Sequence, residues 1–385
     1  MKSPNALYIQ FTDPLYLPVL IRSGFILMKH NFKIHYLGVR FGDIPELRPS
    51  QAMATSITYA AVVSRRMPAW ISYARFSAVA IWRISRYRPS VLYISDVLSA
   101  PLGLLLSYLS SVPIVYHEHD APDLRPQTIR GRVLLWSRRH LLMRIAMCIA
   151  PNETRASRLS PRGATTVCHP NIYNTPLRSE VLPPRRDTDG SRVPIRLYYH
   201  GSINASRVPL TIVDALAGMP EAELTIAGYE SRPGYLTVLE KRAESLGVGH
   251  QVKLLGTIAS HDELMTQASR ATIGLSLMPM DSDDFNERSM AGASQKAFEY
   301  LACGLPIIVT DRREWVDFYV SEGVAAACDP SNPDSIRQAV EGIAANSSKY
   351  RKMSRRGQEL VEGIWNYEVS FAPVLRELKD IANFE

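Results

Sequence analysis

Cysteine is scarce in this chain of 385 residues, and the four that occur are Cys148, Cys168, Cys303 and Cys328. Their spacing contains no CxxC pair or metal-like pattern, which argues against a disulfide framework and against a zinc site. Such sparse cysteine suits a reducing, cytosolic setting. The first residues, MKSPNALYIQF, lack a long apolar core followed by a small-residue cleavage site, so we expect no signal peptide.

Acidic residues are few in the first half of the chain. Residues 1–190 hold 24 Lys and Arg against 11 Asp and Glu, a charge of +13, whereas the remainder carries −6. The basic residues of segments 75–88 and 130–144 alternate with apolar and aromatic ones, which suits helices lying on an anionic lipid surface. Arginines on the outer faces of ordinary helices explain the pattern equally well. Binding to nucleic acid is not expected, because basic charge alone gives only non-specific contact and no nucleic-acid motif is visible.

Charge is also absent from the run 97–116, which is about as long as a membrane span. We interpret the run as a buried helix followed by a strand, because Ser110 and Ser111 interrupt it and Pro113 precedes the β-branched pair Ile114-Val115. A membrane-spanning helix is the alternative.

Short apolar segments alternate with helical ones in both halves, which predicts parallel βαβ units and an α/β fold. The segment 175–194 is rich in proline and charge and predicts a linker. The predicted strands of the first half are 6–11, 34–39, 91–94, 114–117, 146–150 and 165–168; those of the second are 196–200, 223–227, 251–255, 273–277, 306–309 and 324–327. Two doubly wound domains, 1–174 and 195–366, would bind ligands at the carboxyl ends of their strands, in the cleft between the halves.

The sequence lacks a GxGxxG motif after its first strand, which argues against a dinucleotide-dependent dehydrogenase. A different segment, 291–310, carries anion-binding features instead. Gly292, Ala293 and Ser294 are small residues that let backbone N–H groups at a helix start approach an anion. Lys296 and Glu299 share one face of that helix and suit a diphosphate and two ribose hydroxyls. A capped helix with a surface Lys–Glu pair explains the same spacing.

The phrase SQKAFEYLACGLPIIVT resembles the donor-site helix of the GT-B glycosyltransferases, particularly the retaining family 4. In that family the motif is E-x7-E, and Glu299 falls on the second Glu, which binds the donor ribose. Gly292 and Lys296 also match the family pattern. Ala291 stands where the family has its first Glu, which usually helps to position the donor sugar.

A second resemblance covers residues 197–207, which are similar to the family's strand and loop G-R-L-x-x-x-K-G. Gly201 falls on the first Gly, and Arg207 falls on the basic residue that contacts the donor diphosphate. Ser202 replaces the family's first Arg, and Val208 replaces its second Gly. A solvent-exposed cation at a helix start is the alternative interpretation of Arg207.

Two strands that end in glycine, at Gly228 and Gly256, resemble the family's L-x-I-x-G and V-x-F-x-G. The resemblance implies that the nucleoside lies against the backbone of these glycines. The resemblance to the family covers nearly the whole chain. It also implies that the final segment, 367–385, crosses back to the first domain.

In the first half, a predicted strand runs into His117, Glu118, His119 and Asp120. Because adjacent residues on a strand point to opposite sides, these four cannot all face one ligand. His119 and Asp120 match the His and Glu of the family's Y-D-x-H-E. The resemblance implies that His119 contacts the transferred sugar, and we expect Asp120 to orient it. A metal site and a purely structural histidine are the alternatives.

The resemblance implies a GT-B glycosyltransferase with two Rossmann-like domains that retains anomeric configuration. Its donor would be a nucleoside diphosphate sugar, and its acceptor a glycan or lipid-linked sugar of envelope polysaccharide synthesis. His119, Asp120, Arg207 and Lys296 are the expected catalytic residues. We expect no metal and no cofactor, and a cytoplasmic protein that contacts the inner face of a membrane. A catalytically silent nucleotide-sugar-binding protein and a GT-B-type sugar-nucleotide epimerase are the alternatives.

Overall fold

A computed structural model of the chain describes residues 3–41, 57–63, 68–159, 166–183 and 194–382. The chain divides into two compact units. The N-terminal unit comprises Met1–Asn174 and Tyr367–Glu385, and the C-terminal unit comprises Thr175–Asn366.

The N-terminal unit contains a seven-stranded parallel sheet in the order β3-β2-β1-β4-β5-β6-β7. Its strands are β1 (Asn5–Gln10), β2 (Lys33–Phe41), β3 (Ile57–Val63), β4 (Val91–Ser95), β5 (Ile114–His117), β6 (Met147–Ile149) and β7 (Val167–His169). Its helices are α1 (Pro18–Lys29), α2 (Ala69–Tyr87), α3 (Ala100–Leu109), α4 (Ile129–Leu141), α5 (Glu153–Ala156) and the final helix α14 (Tyr367–Ile381).

The C-terminal unit contains a six-stranded parallel sheet in the order β10-β9-β8-β11-β12-β13. Its strands are β8 (Ile195–Ile203), β9 (Ala222–Glu230), β10 (Val252–Gly256), β11 (Ile273–Ser276), β12 (Ile307–Thr310) and β13 (Ala325–Cys328). Its helices are α6 (Thr211–Leu216), α7 (Tyr235–Ser245), α8 (His261–Arg270), α9 (Phe285–Arg288), α10 (Gln295–Ala302), α11 (Arg313–Trp315), α12 (Pro333–Ala344) and α13 (Ser347–Gly363).

The central strands are short and apolar because helices cover both faces of a parallel sheet. Every residue of β4, β5, β11 and β12 is buried. Helix α10 ends just before Gly304, which adopts φ +71° and whose amide donates to the carbonyl of Leu301. The predicted α/β fold with two doubly wound sheets is confirmed.

The predicted strands agree with the structure to within a few residues, with one omission. Strand β3 was not predicted, so the first sheet has seven strands rather than six. Thr165, the first residue of one predicted strand, lies outside the described residues.

The uncharged run 97–116 forms a 3₁₀ turn (Val97–Ser99), then α3 and β5, as a helix followed by a strand. Across the part of the chain that the structure describes, no helix has the length and apolar character needed to span a bilayer.

The described part of the predicted linker is attached to the C-terminal unit. Residues Arg178–Glu180 form a 3₁₀ turn, and the amide of Leu182 donates to the carbonyl of Ala302 at 3.0 Å. Residues 184–193 of that linker lie outside the described residues.

Candidate functional site

Both sheets reverse their strand order beside their first strand, between β1 and β4 and between β8 and β11. At such a switch point the flanking connections leave in opposite directions, so a crevice opens at the carboxyl ends of the strands. We call these two regions the N-terminal edge and the C-terminal edge.

Lys296 lies beside the end of β8, at the C-terminal edge. Its ammonium nitrogen is 3.4 Å from the position that a Cβ on Gly201 would occupy. The same nitrogen is 5.6 Å from the ring centroid of Tyr199. Gly201 has φ +121°, a conformation that favours glycine. The structure therefore brings Lys296 and Gly201 together, as their predicted role in one site requires.

Arg207 follows β8 in a turn and is only 16 % exposed, unlike a solvated surface cation. Its guanidinium contacts the sulfur of Met278 beyond β11, on the other side of the switch point. Burial raises the pKa of Tyr199 well above its usual range, and the charge of Arg207 opposes that effect. Arg207 and Lys296 thus both lie close to Tyr199.

Glu287 is the anion nearest Arg207, with 4.0 Å between its Oε1 and a guanidinium nitrogen. Burial disfavours the ionised carboxylate, whereas hydrogen bonds from Ser282 (2.6 Å) and Ser206 (2.7 Å) favour it. With the charges of Arg207 and Arg312 they lower the pKa of Glu287 below its usual value. Sequence analysis did not identify this carboxylate.

Glu299 is 1 % exposed, and its two oxygens accept hydrogen bonds from three side chains. The donors are His200 Nε2 at 3.1 Å, His261 Nε2 at 2.7 Å and Gln295 Nε2 at 2.5 Å. Burial lowers the pKa of His200, although its bond to Glu299 opposes the shift. Both histidines went unrecognised in the sequence. His200 ends the predicted strand 196–200 beside Gly201, and His261 begins α8 after Gly256, and both positions are usable signals.

The start of α10 carries the predicted anion-binding residues. Gly292 has φ +72°, Ala293 is buried, and Ser294 is the N-cap. The hydroxyl of Ser294 is buried and has no hydrogen-bond partner among the described residues. The same is true of the Ser276 hydroxyl at the end of β11 and of His200 Nδ1. Buried polar atoms normally have partners, so these three can each exchange a hydrogen bond with a ligand or water at this edge.

The remaining predicted glycines differ in what surrounds them. Gly228 pairs with Gly201 across the sheet and has φ +143°, and a Cβ there would lie 1.8 Å from the Gly201 carbonyl oxygen. The chain's own packing therefore requires this glycine. Gly256 has φ +66° and open space around the position of a Cβ. Ser202 ends the cluster, and its carbonyl accepts a hydrogen bond from Tyr199 at 2.5 Å.

At the N-terminal edge, His119 is 4 % exposed and follows β5. Its Nε2 lies 3.0 Å from the Ser95 hydroxyl, and its backbone amide donates to Asp96 at 2.9 Å. Its Nδ1 has no partner among the described residues. Burial lowers the pKa of His119 to about 4, so the ring is neutral at physiological pH.

The Asp120 carboxylate does not contact the His119 ring directly, and its link to that residue runs through Arg155, whose guanidinium also binds the carbonyl of His119. The Asp120 side chain is 75 % exposed and lies 3.1 Å from Arg155, whereas Ser95 and Asp96 hold His119. The expected alternation along this segment is confirmed, since the rings of His117 and His119 lie 4.0 Å apart.

Glu118 points to the other side of the same segment. It is bonded to Arg138 and, at 2.9 Å, to the hydroxyl of Tyr116. Within the described ranges, no group of three or more His, Cys, Asp and Glu is placed to hold a metal ion. Asp96 went unrecognised in the sequence, although a polar residue directly after a buried strand is a usable signal.

Residues 197–360 match the family model described as "Glycosyl transferases group 1". No curated protein sequence matches the chain. Among solved structures, it is similar to sucrose-phosphate synthase from Thermosynechococcus elongatus, with 17 % identity, coverage of 98 % of this chain and 99 % of that chain, and a TM-score of 0.70.

A glycosyltransferase from Rickettsia africae is 11 % identical over 99 % of both chains, with a TM-score of 0.69. HepE from Anabaena, solved with UDP-glucose, is 14 % identical over 98 % of this chain and 99 % of that chain, with a TM-score of 0.67. At these identities the likenesses show the fold, which is GT-B with two Rossmann-like domains.

Proposed function

Because residues 197–360 match the model of the glycosyl transferases group 1, we propose that the chain is a retaining transferase using a nucleoside diphosphate sugar. The proposed acceptor is a glycan or a lipid-linked sugar in envelope polysaccharide synthesis. The bound UDP-glucose of HepE supports the class of donor.

The arrangement of cations at the C-terminal edge carries the proposal. Lys296 and Arg207 flank Tyr199, and the start of α10 offers backbone N–H groups and the buried hydroxyl of Ser294. The chemical step leaves negative charge on the departing diphosphate, and preorganised cations and helix amides stabilise that charge. These groups supply the stabilisation without a metal or cofactor.

Glu299 is the proposed acceptor of hydrogen bonds from the donor ribose. Its oxygens already bind His200, His261 and Gln295, so ribose hydroxyls would replace at least one of these donors. The side chain of His261 is more exposed than that of His200, at 29 % against 5 %, so we expect the ribose to replace the hydrogen bond from His261. His119 is proposed to supply a hydrogen bond to the neutral transferred sugar.

A thermal-shift screen over nucleoside diphosphate sugars tests the donor site, because a ligand that binds the native state raises its apparent stability. We expect one donor to raise Tm, Lys296→Ala and Glu299→Gln to lose most of that shift, and Lys352→Ala to keep it. Lys352 is an exposed lysine of α13 and controls for lost surface charge. Equal shifts in all four proteins would refute the assignment.

A catalytically silent binding protein is the second candidate, because Ala291 stands where the resemblance expects a donor-positioning Glu. The donor found by the screen would then bind without turnover. Slow donor hydrolysis by the wild type, abolished in Lys296→Ala, favours the transferase; tight binding with no hydrolysis or transfer favours the silent protein.

We also propose that the N-terminal unit contacts anionic lipid through α2, α3 and α4. These helices contain no acidic residue, and five of the seven arginines that α2 and α4 together carry are exposed. They adjoin one another, since α3 packs on α4 and the hydroxyl of Tyr73 in α2 accepts from the amide of Leu102 at 3.0 Å.

An apolar stripe is exposed on α4. Ile129, Val133 and Trp136 lie at positions i, i+4 and i+7 and are 76, 50 and 58 % exposed. On α2, Trp70 and Trp82 are likewise exposed. Apolar stripes flanked by arginine suit the headgroup region of a negatively charged bilayer, where each basic residue adds about 1 kcal/mol.

Flotation with vesicles of phosphatidylcholine, with and without phosphatidylglycerol, tests this surface. We expect binding that needs the anionic lipid and weakens with salt. Ile129→Ser should reduce binding, whereas the matched change Ile364→Ser, at a residue 56 % exposed in the C-terminal unit, should not. Absent or salt-independent binding removes the proposal.

A further inference from the structure

Asp96 directly follows β4 at the N-terminal edge and has an unusual backbone conformation. Its φ of +59° and ψ of 165° fall in a region that is almost confined to glycine. A non-glycine residue there is strained, and such strain persists only where the surroundings fix it. Glycine would suit this backbone better than aspartate does.

Most of the groups that contact Asp96 belong to the segment that carries His119. The Asp96 carboxylate accepts from the amide of His119 at 2.9 Å, from the amide of Asp120 and from the side chain of Gln10. The amide of Asp96 donates to the carbonyl of His117 at 2.9 Å. The preceding residue, Ser95, binds the His119 ring.

We propose that Asp96 is a positioning residue whose ionised carboxylate fixes the His119 segment, so that Nδ1 of the ring meets a hydroxyl of a neutral sugar. The inference rests on the proposed function, because it assigns the ligand of His119 to a glycosyl substrate. Nδ1 suits that role, since it is buried and, within the described residues, has no partner. A neutral imidazole can donate a hydrogen bond to a hydroxyl or accept one from it, but it has no charge with which to attract an anion.

The ionisation of Asp96 is finely balanced. Burial raises its pKa to about 7, and the charge of Asp120 adds to this shift, whereas the three hydrogen bonds oppose it. Two carboxylates after β5, those of Asp120 and Glu118, interact electrostatically with Asp96. Arg155 of α5 binds Asp120, and the His119 ring is neutral. Below pH 7 the carboxyl becomes protonated and binds the two amides less strongly, which loosens the segment.

Two features of Asp96 reduce stability, namely its strained backbone and its buried charge. Residues that cost stability in this way are characteristic of sites where function requires them. A purely structural role would be better served by glycine. The contrast between aspartate and glycine therefore separates positioning from folding.

The test compares the full-length wild type with Asp96→Gly and Asp96→Asn. Glycine removes the carboxylate and the strain together, so we expect an unchanged or higher Tm. Exchange of the amide hydrogens of residues 119 and 120 should become ~10-fold faster or more in Asp96→Gly. Turnover of UDP-glucose, the donor probe, should fall about 100-fold, as expected for a misplaced group, while most of the thermal shift that UDP-glucose causes remains, because the C-terminal edge binds the diphosphate and ribose.

Asp96→Asn keeps an acceptor oxygen for the His119 amide but cannot ionise. We expect protection from exchange to remain and to lose its dependence on pH between 6 and 8, whereas in the wild type protection decreases as the pH falls. Wild-type exchange rates in Asp96→Gly, or unchanged protection across that pH range in the wild type, would overturn the inference. If UDP-glucose produces no shift and no turnover in the wild type, the donor proposal is at fault, and the exchange comparison still decides the role of Asp96.

Discussion

The N-terminal and C-terminal edges share one strand order but carry opposite chemistry. At the C-terminal edge, Gly201 exposes backbone, and Arg207 and Lys296 supply positive charge. At the N-terminal edge, the corresponding groups are the strained Asp96 and the neutral imidazole of His119. The common topology fixes where a ligand binds, whereas the residues after the strands decide which ligand class fits.

The two edges differ in how they accommodate a positive φ angle at the end of a strand. Gly201 meets its positive φ without strain, because glycine lacks a Cβ. Asp96 meets a similar requirement with a side chain, at a cost in stability. An anion needs close approach to backbone amides, and a neutral sugar needs oriented side chains, so the two choices suit the two proposed ligands.

Among these variants, we expect the greatest loss of stability from a change at Glu118, whose side chain lies next to His119 but points away from it. Glu118→Ala should lower the free energy of unfolding by about 3–5 kcal/mol, because it leaves the buried Arg138 without its anion. Urea denaturation measures this loss. The donor-induced thermal shift should remain, since the C-terminal edge is untouched.

The double variant Glu118→Leu with Arg138→Met is the matched control. Replacing both charges with apolar groups of similar size should restore most of the stability. If Glu118→Ala instead retains stability but abolishes turnover, the division of this segment into a structural side and a ligand-facing side is wrong.

A smaller effect is expected at the C-terminal edge, from Gly228→Ala. The new Cβ would meet the Gly201 carbonyl oxygen, and the backbone has φ +143°, so we expect a loss of more than about 2 kcal/mol. Gly234→Ala is the control, because that residue has φ +95° but open space around it, and it should lose only about 1 kcal/mol.

Equal losses in thermal or urea denaturation would show that backbone conformation alone accounts for Gly228. The close approach of β8 and β9 would then not be what shapes this edge.

The sequence predicted the strands well because short apolar runs between helices leave few alternatives in an α/β chain. It failed at β3 (Ile57–Val63), whose mixture of alanine and β-branched residues does not distinguish strand from helix. At the site, the motif located Glu299 but not its partners His200 and His261, which lie 99 and 38 residues away in sequence. Contacts between distant segments depend on packing that no local pattern records.

The same limit applies to the direct partners of His119. Sequence adjacency suggested that Asp120 orients His119. In the folded chain, Ser95 at the end of β4 and Asp96 just after it contact His119 directly, because β4 pairs with β5. Neighbours across a sheet are set by strand order, and that order becomes visible only in the folded chain.

The smallest effect is a pair of opposed pH dependences at the N-terminal edge. His119 has a folded pKa of about 4, below its usual 6.5, so the unfolded state binds more protons and His119 favours the fold increasingly as the pH rises from 4 to 6.5. Asp96 has a folded pKa of about 7, above its usual 3.8, so its contribution falls as the pH rises from 4 to 7. The two contributions largely cancel in the wild type.

Each variant should therefore reveal the opposite slope when its stability is measured relative to the wild type at pH 5, 6 and 7. Asp96→Gly should gain stability with rising pH, and His119→Gln should lose it, by at most about 1.4 kcal/mol per pH unit. Groups that are unchanged cancel in this difference, including His117 and Glu118. Slopes of the same sign in the two variants would show that Asp96 and His119 do not make opposed contributions to stability, and the contrast between the two edges would lose its basis.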